Sequence, residues 1–142
     1  MDMPVTERLG LHIKRVEQEL MAAKHAALRP LGLTVPQYVA LYALHDQPGL
    51  SAAALARACL VTPQTIATVL ANLEAKGLIG REPSELHGKV LVTRLTELGR
   101  ARLTEADARA VGVESALWSA FDDTEREQFR AFLHRATAAL GA

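Results

Sequence analysis

The stretch from Ser51 to Gly77 constrains the fold more than any other part of the chain, because its residues mark where two short helices begin and end. Ser51 suits an N-cap ahead of Ala52 to Ala58, Thr62-Pro63 caps and opens a second helix reaching Lys76, and Gly77 stops it. Cys59-Leu60-Val61 is left as a tight turn between them. Leu55, Cys59, Val61, Ile66, Val69 and Leu70 are the apolar residues such a pair needs inside, and Ala56 is small where the helices approach. Directly afterwards, the β-prone runs Leu78-Ile79-Gly80-Arg81 and Val90-Leu91-Val92-Thr93 flank a polar segment from Pro83 to Lys89. Two strands around an exposed loop make a wing, spanning about residues 79–95.

Long helices flank this centre. Leu9, Ile13, Val16, Leu20, Ala23 and Ala27 recur at helical spacing and predict a first helix ended by Pro30. Thr34 as N-cap and Pro36 in the first turn start a second helix that carries Tyr38, Leu41, Tyr42 and Leu44 and stops at Gln47-Pro48-Gly49. From Thr96 onward, Leu103, Ala106, Ala110, Val113 and Leu117 form another stripe, and a last helix starts after Asp122. The expected fold is mainly α, a winged helix-turn-helix in one domain over 1–142, with a lobe at 32–96 and long terminal helices at 1–31 and 97–142. The terminal stripes exceed what one small lobe can cover, so they call for a partner surface.

The exposed face of the 62–76 helix carries short polar side chains. Gln64 and Asn72 are of the type that bonds an adenine edge in two places, and Thr65 and Thr68 can meet a base edge or a thymine methyl. Ser51 and Thr62, at helix starts, are candidates to hold phosphates. At the wing, His87 and Lys89 bring a titratable ring and a fixed cation to a loop made flexible by Gly88. The alternative is a winged-helix module that binds a protein or ligand without touching DNA, favoured by the lack of any Lys or Arg in the second helix before Lys76.

Charge supports the first reading only regionally. The 16 basic and 16 acidic residues cancel overall, but residues 51–96 hold five bases against three acids. One cysteine, Cys59, excludes an intrachain disulfide framework and a Cys-rich zinc module, so a reducing, cytoplasmic home is expected. Cys59 itself falls on the inward side of its helix, as an inert thiol. Arg57, Glu74 and Glu114 interrupt the longest apolar regions, so no membrane span is expected. The five histidines show no compact ligand spacing, and no nucleophile elbow or glycine-rich phosphate loop occurs. Neither metal, cofactor nor enzymatic activity is expected.

Taken in order, Leu33-Thr34-Val-Pro-Gln37-Tyr38, Leu55-Ala56, Val61-Thr-Pro-Gln-Thr65, Leu73-Glu-Ala-Lys-Gly-Leu-Ile79, Arg81, and Arg94-Leu-Thr96 with Gly99 resemble the MarR family of winged-helix transcriptional regulators over nearly the whole chain. The resemblance implies a homodimer held by the terminal helices, a recognition helix in the major groove and a wing in the minor groove of a palindromic operator. It further implies repression relieved by a small, often aromatic or phenolic, effector between the dimerisation helices and the lobe; Tyr38, Tyr42 and His12 are the candidates to border it. Two departures stand out. The family's wing carries Asp-x-Arg where this chain has His87 and Lys89, and Leu60 stands where helix-turn-helix motifs often have Gly. The turn therefore either avoids positive φ or carries a small strain.

Overall fold

The computed structural model describes residues 1–86, 88 and 91–141. Its helices are α1 Leu9–Leu28, α2 Val35–Asp46, α3 Ala52–Ala58, α4 Pro63–Ala75, α5 Glu97–Ser119 and α6 Asp123–Ala139, and its strands β1 Ile79–Pro83 and β2 Leu91–Leu95 lie between α4 and α5. The expected mainly helical architecture with a two-stranded wing is the one observed.

Helix starts follow the chemistry of their caps. The hydroxyls of Thr34, Ser51, Thr62 and Thr96 and the carboxylate of Asp122 each accept a backbone N–H three residues on. At Thr34 and Asp122 the third residue, Gln37 or Glu125, returns a bond to the cap's own N–H. Helix ends are equally local. After α4, Gly77 takes φ +73°, its N–H bonds Glu74 O, and the Leu78 N–H bonds Leu73 O. This pair of bonds holds Leu78 in the helix terminus, so β1 begins at Ile79 rather than Leu78. The antiparallel register pairs Ile79 with Leu95 and Pro83 with Leu91, which carries the second strand two residues beyond Thr93.

The same two bonds close α3, with a different residue at the critical position. Leu60 N–H bonds Arg57 O and Val61 N–H bonds Ala56 O, which requires a left-handed residue at 60; Leu60 adopts φ +56°. The turn thus carries the strain, and it is the one non-glycine residue with positive φ among the described residues. The chain turns through 109° between α3 and α4, the angle range of helix-turn-helix units.

A single core joins lobe and flanks. Leu41, Leu44, Leu55, Ile66, Leu70 and Leu73 are its most enclosed side chains, and Leu28 of α1 with Leu103 and Ala106 of α5 close it from outside. The lobe's expected inner residues divide: Leu55, Ala56, Ile66, Val69 and Leu70 are buried, whereas Cys59 and Val61 are only partly so. The terminal helices are less satisfied. Leu9, Ile13 and Val16 of α1 are exposed, as are Trp118 of α5 and Phe132 of α6, and no residue of α6 is buried. Among the described residues no single helix is long and apolar enough to cross a membrane.

Candidate nucleic-acid interface

Helix α4 has two faces of opposite character. Ile66, Val69, Leu70 and Leu73 point into the core, while Gln64, Thr65, Thr68 and Asn72 are all exposed. The polar groups at its start are partly committed. Thr62 Oγ1 accepts the Thr65 N–H at 3.1 Å and donates to Thr65 Oγ1 at 3.0 Å, so the Thr65 hydroxyl keeps its own proton to give away. Pro63 has no N–H, which leaves that of Gln64 as the open donor of the first turn among the described residues. Thr68 Oγ1 bonds back to Gln64 O at 3.3 Å, leaving its methyl and lone pairs outward. Ser51 Oγ accepts the Ala54 N–H at 3.2 Å and retains a proton for an anion.

The basic excess of the lobe is largely spent on internal contacts. Arg81 Nε lies 3.3 Å from Glu74 Oε2, and Arg94 Nε lies 2.7 Å from Glu82 Oε1 with its guanidinium packed on Gly49. Lys76 Nζ bonds Gly32 O at 2.6 Å and Gln37 Oε1 at 3.1 Å, tying the end of α4 to the capping box of α2. Arg57, on α3, is exposed and has no side-chain partner among the described residues; the sequence reading passed over it. His87 and Lys89 lie outside the described residues.

On α2, Tyr38 and Tyr42 are one helical turn apart with ring centroids 6.4 Å apart. They do not share one role. The Tyr38 hydroxyl donates to Asp107 Oδ1 of α5 at 2.7 Å, and burial together with that carboxylate pushes its pKa well above the ordinary value of 10.0. Tyr42 is exposed and borders a cavity of about 210 Å³ with Val39, Ala43, Leu50 and Ala58. His12 is exposed on α1, and among the described residues no hydrogen bond or ion pair joins it to either tyrosine. Cys59 is half-buried, and desolvation pushes its thiol pKa up. Lys24 of α1 and Glu114 of α5 form an ion pair at 2.6 Å that no sequence pattern announced, because the partners are 90 positions apart.

A profile of the MarR family matches residues 31–89. The HTH-type transcriptional repressor Rv2887 of Mycobacterium tuberculosis is 38% identical over 127 residues, covering 89% of this chain and 91% of its own. The crystal structure of that MarR family protein in complex with DNA superposes with a TM-score of 0.70 at 34% identity, covering 99% of this chain and 100% of the other. Its complex with p-aminosalicylic acid gives 0.71 at 36% identity, covering 92% and 98%. BpsR of Bordetella bronchiseptica, at 23% identity, shares the fold with a TM-score of 0.88 over 96% of this chain and 98% of the other.

Proposed function

The chain belongs to the MarR family of DNA-binding transcriptional regulators, and from that membership we propose a homodimeric repressor that seats α4 of each protomer in the major groove of a palindromic operator. The family is one of regulators, not of enzymes. The observation that carries the reading is the division of α4: every residue proposed to face bases is exposed, while Ile66, Val69, Leu70 and Leu73 are buried in the core. Gln64, Thr65, Thr68 and Asn72 read base edges. Ser51, the N-terminal turn at Thr62 and the open N–H of Gln64 hold phosphates. His87 and Lys89 anchor the wing.

Residues 1–31 and 97–142 form the dimer contact, for which the exposed apolar side chains of α1, α5 and α6 are the support. Rv2887 has been crystallised with salicylic acid and p-aminosalicylic acid, and this supports a monocyclic aromatic effector for the present chain, at the junction near His12, Tyr38 and Tyr42. The cytoplasm, where the DNA is, is its place of work.

Because the lobe's described cations are mostly paired, affinity rests on few phosphate contacts and on doubling by the dimer. Fluorescence anisotropy against the duplex upstream of the chain's own gene, with scrambled duplex as competitor over a salt series, tests this. Preference for the specific duplex of about 10³-fold or more is expected, and preference below about tenfold overturns the reading.

A further inference from the structure

From Pro63 to Lys76 the chain carries a single cation, Lys76 at the C-cap of α4, where a phosphate contact would be its obvious use. The structure gives it another. Its ammonium bonds Gly32 O at 2.6 Å and Gln37 Oε1 at 3.1 Å, so two of its three N–H groups are taken. Both acceptors are themselves held in place. Gln37 is 5% exposed, and the same Oε1 accepts the Thr34 N–H at 3.1 Å, closing the capping box of α2. Gly32, in the link between α1 and α2, has φ +67°, and the N–H groups of Gly32 and Leu33 bond Arg29 O and Leu28 O. Leu28 and Leu33, both buried, pin that link at its two ends. From α5, Arg102 donates to Leu31 O at 3.0 Å, beside the carbonyl that Lys76 uses.

We propose that Lys76 is a positioning residue for operator recognition: it sets the roll and axial position of α4 through the α1–α2 link and does not bind phosphate. The proposal rests on the reading of α4 as the recognition helix. The inner side chains of α4 hold it against the core, but apolar contact is non-directional and does not by itself fix a helix about its axis. Two hydrogen bonds from one ammonium are directional, and they act at the end of the helix opposite its cap at Thr62. Asn72 and Thr68 lie about one and two turns before Lys76, so the end that is tied down is the end that follows the proposed base readers. Such contacts tolerate only about 0.5 Å of misplacement, whereas phosphate contacts carry no sequence information. A small roll of α4 therefore weakens the preferred duplex and leaves random duplex alone. Because Arg102 holds the same link, the position of α5 reaches α4 by a short route through Leu31, Gly32 and Lys76.

Fluorescence anisotropy of the full chain on the duplex upstream of its own gene and on scrambled duplex, over a salt series, separates the two roles. Lys76→Met keeps most of the stem and removes the ammonium. Affinity for the specific duplex should fall about tenfold, while affinity for scrambled duplex and the salt slope stay those of the wild type. An equal loss on both duplexes overturns the proposal, whether the slope flattens by about one unit per protomer, as a phosphate contact requires, or holds, as partial unfolding requires. So does no loss on either. Gln37→Met removes the buried acceptor without adding charge and should lower the preference in the same way. Because part of each loss is the same bond, Lys76→Met combined with Gln37→Met should lose less than the product of the single losses. A full product means that the two residues act independently, and it refutes the relay. If the wild type itself prefers the specific duplex by less than about tenfold, the recognition reading falls first; if that preference is intact, these outcomes bear on Lys76 alone.

Discussion

Replacing Gly99 by alanine sets two effects of opposite sign against each other, and the structure decides between them. Gly99 lies in the first turn of α5, where helix propensity alone favours alanine by about 1 kcal/mol. A Cβ there would stand 2.0 Å from Leu78 O and 2.9 Å from Leu78 C, both backbone atoms that cannot rotate aside. The contact is also braced. Thr96 Oγ1 caps the Gly99 N–H at 3.0 Å and donates to Gly77 O at 2.7 Å, and the Thr96 N–H bonds Leu78 O at 3.1 Å. Making room moves α5 away from the α4–β1 junction and stretches these bonds, so overpacking of about 1 to 3 kcal/mol adds to about 1 kcal/mol for each bond lost. The net expectation is destabilisation by about 2 to 3 kcal/mol, a fall in Tm of roughly 6 to 10 °C for a chain of this length. Thermal and urea unfolding followed by circular dichroism at one fixed protein concentration measures it, since the proposed dimerisation would make Tm depend on concentration. Gly112→Ala is the control: it lies in the same helix with nothing within 4 Å of the added atom, and should stabilise by up to about 1 kcal/mol. A Gly99→Ala protein as stable as Gly112→Ala would refute the reasoning.

Leu60→Gly should raise stability by about 0.5 kcal/mol, because release from a left-handed conformation outweighs the entropy of glycine and the 92% exposed side chain gives up no packing; a loss of similar size in urea unfolding would mean the leucine is held by contacts instead. Tyr38 has a folded pKa raised above its unfolded value of 10.0, so its contribution to stability is whole below about pH 10 and drains away as pH climbs through the folded value. Unfolding free energies between pH 8 and 11.5 should therefore fall less steeply for Tyr38→Phe than for the wild type, and parallel curves would rule the effect out. In DNA titrations, Lys89→Ala should weaken all sequences alike and flatten the salt slope by about one unit per protomer, whereas Gln64→Ala should change base preference; the opposite pattern would mean that wing and recognition helix have been exchanged.

Most of the fold is legible in the chain because its punctuation is local. Thr34, Ser51, Thr62, Thr96 and Asp122 cap helices through bonds three residues long, and Gly77 stops one through bonds of three and five. The apolar stripe of α4 and the polar face opposite it follow from the same short period, which is why Gln64, Thr65, Thr68 and Asn72 could be placed together without coordinates. The cations could not. That Arg81, Arg94 and Lys76 spend their charge on Glu74, Glu82 and the Gly32 carbonyl and Gln37 side chain at the start of α2 follows from strand register and helix docking, so counting bases overstated the free charge of the lobe. Leu60 shows the boundary most plainly: the sequence marks an unusual residue in the turn, but only the closure of α3 by two backbone bonds settles that it pays with a positive φ. The Tyr38–Asp107 bond, the Lys24–Glu114 pair and the bonds of Lys76 and Arg102 to the α1–α2 link join residues far apart along the chain. Local order follows from neighbours three or four positions away, whereas these sites exist only once α1, α2, α4 and α5 have been brought into one core.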